Sequence, residues 1–219
     1  MTQKEALAIL KLGYNVFLTG AAGSGKTYLL NQYIKYLKEN KIPVGITAST
    51  GIAATHMGGT TIHSWSGIGI RDSLTEKDVT ELFKRQYLRS RFLNTKVLII
   101  DEISMLHAHR LDLVDAICRA FKKNSLPFGG LQVIMCGDFF QLPPVSKKDE
   151  PPSEFVVTSQ SWIDMDPKIC YLDEQFRQDD RNFLRVLNDI RNNEVSEVTV
   201  EYLSERLDKP TKGYTKPTR

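Results

Sequence analysis

Mostly hydrophobic residues fill consecutive positions in four short stretches of the chain, at 15–19, 44–47, 97–100 and 132–136. A half-exposed strand would alternate, whereas unbroken apolar runs of this length mark strands buried on both faces of a parallel sheet. Between them the pattern changes to helical candidates at 26–39, 75–92 and 106–123. Strands alternating with helices predict an α/β fold, with a doubly wound, mostly parallel sheet flanked by helices. Weaker runs at 155–157 and 169–172 predict two further strands, and 180–191 and 196–207 read as helices with apolar spacings of three and four. Pro143-Pro144 and the segment 147–152 punctuate the chain, but apolar structure resumes at once, so they mark a surface loop. After residue 207 the composition turns to Lys, Pro, Thr and Gly with almost nothing apolar. One domain is therefore expected over 1–207, with a linker or disordered tail at 208–219.

A chain of 219 residues can bury an ample core without disulfide or metal staples. Apolar residues at 41% and charged residues at 25% exclude a disordered, collagenous or coiled-coil chain. The net charge of +3 suits a polyanionic partner but is too small to argue for one. Cys118, Cys136 and Cys170 are odd in number and far apart, which speaks against a disulfide framework or a cysteine zinc site and for a reducing compartment. No apolar run approaches the roughly 18–20 residues of a membrane span. Lys4 and Lys11 before Val16-Phe17-Leu18 superficially resemble a signal peptide, but Glu5 and the short apolar core exclude it. An intracellular protein with no membrane partner is expected.

Gly20-Ala21-Ala22-Gly23-Ser24-Gly25-Lys26-Thr27 matches the P-loop pattern G-x-x-x-x-G-K-[ST] in full, after a strand and before a helix. Small residues let this backbone curl so that several N–H groups face one phosphate chain, and the helix N-terminus adds partial positive charge. Lys26 would hold the β- and γ-phosphate oxygens of ATP, and the Thr27 hydroxyl would ligate Mg²⁺. Asp101-Glu102 closes the apolar run 97–100. A carboxylate placed there, expected next to the first strand, suits Mg²⁺ held through water. The second acid suits polarising the attacking water, which points to hydrolysis.

The segment Asp101-Glu102-Ile103-Ser104-Met105-Leu106 resembles the second helicase motif of the petite-integration-frequency DNA helicases, in the 5′→3′ branch of helicase superfamily 1 with RecD-type and Dda-type relatives. Thr47-Ala48-Ser49-Thr50-Gly51-Ile52-Ala53-Ala54 is similar to their motif Ia, and it runs on into the typical Gly58-Gly59-Thr60-Thr61-Ile62-His63-Ser64-Trp65. Residues 137–145, Gly-Asp-Phe-Phe-Gln-Leu-Pro-Pro-Val, resemble motif III, and Leu172-Asp173-Glu174-Gln175-Phe176-Arg177-Gln178 resembles motif IV. The resemblance extends to about Leu207. It implies a RecA-like P-loop ATPase, here the first motor domain, with the second RecA-like domain and its transition-state arginine absent.

The resemblance also implies roles. Gln3 would read the adenine, Gln141 would sense the γ-phosphate or the attacking water, and Arg177 would reach the γ-phosphate bidentately. Single-stranded DNA would lie on the hydroxyls and backbone N–H groups of Thr47, Ser49, Thr50 and Gly51, with Thr61 and His63 beside them and Phe140 as a stacking surface. Trp65 and Phe139 are better read as core. The basic run Lys84-Arg85, Arg89 and Arg91 around Tyr87 reads as a solvated helix face, and His107 and His109 are not read as metal ligands. A monomeric ATP-driven 5′→3′ DNA translocase and helicase follows, hydrolysing ATP very slowly and unwinding nothing without its second domain. The competing readings are a non-catalytic, nucleotide-responsive DNA-binding module and a P-loop kinase or loader ATPase; the runs at 47–54 and 139–144 speak against the last.

Overall fold

The computed structural model describes residues 1–145, 154–176 and 180–207. The loop segment 147–152, Arg177 and the tail at 208–219 lie outside these. The chain divides into two compact units, Met1–Gln175 and Phe176–Arg219.

The first unit is built on a six-stranded parallel sheet in the order β3-β2-β4-β5-β1-β6. Its strands are β1 (Val16–Gly20), β2 (Val44–Ala48), β3 (Thr60–Thr61), β4 (Val97–Asp101), β5 (Gln132–Cys136) and β6 (Lys168–Leu172). The four continuous apolar runs form the four inner strands, and every residue of β1 and β4 is buried. Neighbouring residues on one strand serve opposite cores, as the two-residue repeat of a strand requires. Phe17, Leu98, Ile100, Val133 and Met135 face one apolar cluster, while Val16, Leu18, Val97, Ile99, Ile134 and Cys136 face the other.

The second cluster is covered by α1 (Gln3–Lys11) and α2 (Lys26–Glu39). The first contains side chains of α4 (Ile62–Ser66), α5 (Glu76–Lys84), α6 (Gln86–Asn94) and α7 (Ala108–Lys122). Two short helices, α3 (Gly51–His56) and α8 (Gln160–Met165), complete this unit's α-helices among the described residues. The other unit contains α9 (Arg181–Asn192) and α10 (Glu197–Ser204). Asp189 of α9 binds them at their corner, accepting hydrogen bonds from the hydroxyls of Ser196 and Thr199 at 2.5 and 2.6 Å. No helix among the described residues is long and apolar enough to cross a membrane.

Three expectations need correction. The helix expected at 75–92 is two, because Arg85 takes an extended conformation (ψ 97°) between α5 and α6. The expected strand at 155–157 is a single 3₁₀ turn at Val156–Thr158, and only Phe155 bridges to His107. β4 does not neighbour β1; β5 lies between them, so the Asp101-Glu102 pair stands one strand further from the P-loop.

Trp65 is core, as expected. It is 5% exposed, and its ring meets Phe92 edge-on at 4.9 Å, while Phe92 stacks on Phe121 at 4.5 Å. The indole also lies against Gly45, where a Cβ would fall 2.7 Å from the Trp65 Nε1. Phe92→Ala removes the central ring of this stack, and urea denaturation is expected to show a loss of about 3–5 kcal/mol.

Candidate nucleotide and nucleic-acid site

The P-loop follows β1 directly and delivers the chain into α2. Gly20 has φ 146°, and a Cβ there would fall 2.6 Å from the Leu172 carbonyl oxygen of the adjacent β6, so only glycine fits. Gly25 caps α2 in the left-handed region at φ 83°, which turns the first N–H groups of the helix toward the loop. The Lys26 ammonium donates to the carbonyls of Gly20 at 2.7 Å and Ala21 at 3.0 Å. Ser24 is buried and its hydroxyl has no hydrogen-bond partner. Ala22 and Thr27 are exposed, and Ala21 and Gly23 are partly so. On α1, the Gln3 side-chain amide donates to the carbonyls of Ser24 and Gly25 at 3.4 and 3.5 Å, which places this residue at the P-loop.

A cleft of about 670 Å³ brings Thr27, Asp101, Glu102 and Gln141 together with Thr50. Its other wall is mostly apolar, formed by Ile52, Ala53, Met57, Met105 and Leu142 together with His56. Asp101 ends β4, is 8% exposed and accepts a hydrogen bond from the Glu102 backbone N–H at 2.9 Å. Burial pushes its carboxyl above the ordinary range, and the Glu102 N–H, the Cys136 thiol and the Lys26 ammonium oppose that shift. Glu102 has φ 51°, a strained conformation for a side chain of its size. Burial, then the neighbouring Asp101, raise its carboxyl too, again against Lys26. Two acids so close together in a partly desolvated cleft are set to interact with cationic partners.

Gln141 lies beyond the end of β5 and is held by its neighbour Asp138, which accepts from the Gln141 side-chain amide at 3.1 Å and from the Phe140 N–H at 3.2 Å. Asp138 is only 1% exposed. Sequence reasoning gave Asp138 no role although it stood within the quoted motif, because nothing in a linear pattern separates a carboxylate that positions another side chain from a solvated one.

The residues expected to meet DNA separate into three groups. Thr47 departs from the expectation: it is fully buried in β2 and its hydroxyl donates to the Ile99 carbonyl at 2.6 Å, so it presents nothing to a strand. Ser49 ties its turn to the acids, since its N–H donates to the Asp101 carbonyl at 3.0 Å and its hydroxyl to the Glu102 carbonyl at 2.7 Å. Thr50 caps α3, accepting from the Ala53 N–H at 3.3 Å, and Gly51 begins that helix exposed. Thr61 caps α4 in the same way, accepting from the Ser64 N–H at 3.2 Å. Thr61 and His63 line a second cleft, away from Thr50. Burial and the nearby Arg110 hold the His63 imidazole below its ordinary pKa, so the ring is neutral at pH 7. Phe140 is 73% exposed, whereas Phe139 packs inward on Phe17 at 5.0 Å. No group of three or more His, Cys, Asp or Glu among the described residues is arranged to hold a metal.

Residues 3–201 match the model of the PIF1-like helicase family. The chain is 59% identical over 179 residues to the ATP-dependent DNA helicase Pif1 of Psychrobacter sp., covering 81% of this chain and 27% of that protein. Among solved structures, the Pif1 helicase from Candida albicans superposes with a TM-score of 0.88 at 37% identity, covering 97% of this chain and 48% of that one. A Bacteroides Pif1 helicase in complex with ADP-AlF3 and ssDNA gives a TM-score of 0.81 at 34% identity, covering 97% and 50% respectively. The chain thus spans about a quarter of the length of the curated relative and half of the solved ones. The chain belongs to the PIF1-like helicase family.

Proposed function

We propose that these residues are the first motor domain of an ATP-dependent 5′→3′ DNA helicase, binding ATP at the P-loop and single-stranded DNA across the turns after β2 and β3. The observation that carries this reading is the Ser49 linkage. The turn leading to Thr50 and Gly51 is hydrogen-bonded through one residue to the backbone of both Asp101 and Glu102. A shift at the acids therefore moves the turn that would hold the strand, and the reverse. Relatives named as ATP-dependent DNA helicases, and a similar structure with ADP-AlF3 and ssDNA, support it.

In this reading Lys26 exchanges the Gly20 and Ala21 carbonyls for β- and γ-phosphate oxygens. Thr27 and Asp101 supply the hard oxygen donors that suit Mg²⁺, which takes one or two protein ligands and completes its shell with phosphate and water. The bound cation supplies charge neutralisation on the phosphates. Glu102 accepts the proton of the attacking water as the water oxygen bonds to the γ-phosphorus and the bond to the ADP oxygen breaks. Gln141, fixed by Asp138, orients that water, and Gln3 reads the adenine edge. For Arg177, which lies outside the described residues, a role at the γ-phosphate rests on the family resemblance alone. Thr50, Gly51, Thr61, His63 and Phe140 hold the DNA, with residues 1–207 as one motor unit and a second RecA-like domain as its partner.

The test is thermodynamic coupling. Titration of a labelled oligothymidylate with and without a Mg²⁺-ATP analogue is expected to show a 5- to 150-fold change in affinity, the usual span of about 1–3 kcal/mol for linked sites. Ser49→Ala is expected to shrink that factor while leaving each ligand bound. Two ligands that bind without influencing each other contradict the motor reading and favour a passive module.

A further inference from the structure

The cleft shared by Thr61 and His63 measures about 570 Å³, within the roughly 300–1,000 Å³ range of ligand pockets. Its other walls come from Arg85, Tyr87, Arg110 and Ile70. The break between α5 and α6 matters here. A continuous helix over 75–92 would leave Arg85 on a solvated face, whereas the extended backbone at Arg85 makes it part of the cleft wall. No carboxylate lines the cleft, and Arg85 has no ion-pair partner among the described residues.

Arg110 does have a partner, at the rim. Its Nη2 donates to the Asp72 carboxylate at 2.6 Å, while its buried Nε has no acceptor. Asp72 is 60% exposed, Arg110 only 18%, and His109 approaches the same carboxylate oxygen at 3.4 Å. A mostly buried, incompletely satisfied guanidinium facing an exposed surface carboxylate is a site where one oxyanion can replace another. Tyr87 is 57% exposed at the same wall, with the Arg91 guanidinium over its ring at 5.6 Å, and His63, neutral, can donate or accept a hydrogen bond without adding charge.

We propose that this cleft seats one nucleotide of the single strand, its phosphate on Arg85 and Arg110 and its base against Tyr87, and that Asp72 occupies Arg110 until the phosphate displaces it. The inference rests on the single-stranded-DNA reading above and deepens it: Arg85 and Tyr87 of the basic run become part of a nucleotide subsite, and Asp72 becomes a built-in competitor that weakens binding. No covalent step is involved.

The test is fluorescence anisotropy of labelled oligothymidylate with the full chain over a range of salt concentration. Each phosphate neutralised on a single strand contributes about 0.7 to the slope of log affinity against log salt. Arg85→Gln is expected to lower the slope by about 0.7, and Arg85→Gln with Arg110→Gln by about 1.4. Asp72→Asn is expected to tighten binding by up to about 5-fold, the scale of a surface ion pair. Lys35→Ala with Lys38→Ala, on α2 against the opposite core, removes the same charge and is expected to leave the slope unchanged. Arg85 is exposed, so its single variant reports even where loss of Arg110 unsettles folding. If the unaltered chain binds the oligonucleotide and the arginine variants keep its slope, the subsite falls and the parent reading stands. If the unaltered chain binds no oligonucleotide, both fall.

Discussion

Lys26→Ala is expected to lower the affinity for Mg²⁺-ATP by about 10²–10⁴-fold when measured by calorimetric titration. The estimate follows from the two short contacts this ammonium makes with the Gly20 and Ala21 carbonyls. Those contacts show that Nζ reaches back over the loop, where a β- and a γ-phosphate oxygen would lie, and two charge-assisted hydrogen bonds contribute about 1.5–3 kcal/mol each. Their sum divided by about 1.4 kcal/mol per decade gives the range. The Lys26 charge also opposes the raised pKa of Asp101 and Glu102, so its removal leaves two partly buried acids facing each other with less compensation. Unchanged affinity in this variant would remove the P-loop from the account.

Glu102→Gln separates binding from chemistry. The amide keeps the size of the side chain and its place in the cleft but cannot accept the proton of the attacking water. Phosphate release with oligothymidylate and the second RecA-like domain supplied is expected to fall by about 10²–10⁴-fold, the usual contribution of a positioned base. Nucleotide affinity is expected to hold or rise, because one of two neighbouring negative charges disappears from beside the phosphates. A variant that turns over normally would show that the proton goes elsewhere, and one that loses binding as well would make Glu102 part of the phosphate seat.

The inner sheet was legible because strands buried on both faces have to be apolar throughout. The alternation of Val97, Ile99 and Leu98, Ile100 between two cores explains why no two-residue polar pattern appeared there. The P-loop was legible for a related reason: backbone curvature at Gly20 and Gly25 demands a residue type, so conformation is written into composition. Strand order was not, since Asp101 and Gly20 stand the same distance apart along the chain whether or not β5 lies between their strands. The break at Arg85 was also hidden, because both halves of 75–92 carry helical spacing and no proline or glycine marks the junction. Thr47 misled for a third reason. A hydroxyl in a polar motif reads as a ligand, but the parallel neighbour β4 offers it the Ile99 carbonyl, and the residue is consumed inside the sheet. Function was readable where the chemistry requires a residue type, and the contacts that position it became visible only with the fold.

The central claim is that one site made of residues 20–27, Asp101 and Glu102 holds the triphosphate. A crystal structure of the chain with Mg²⁺ and a non-hydrolysable ATP analogue tests it most directly. The expected result is Lys26 Nζ released from the Gly20 and Ala21 carbonyls onto the β- and γ-phosphates, with the metal between the Thr27 hydroxyl and Asp101. An analogue bound elsewhere, or bound with Lys26 still on those two carbonyls and the acids turned from the phosphates, would contradict it.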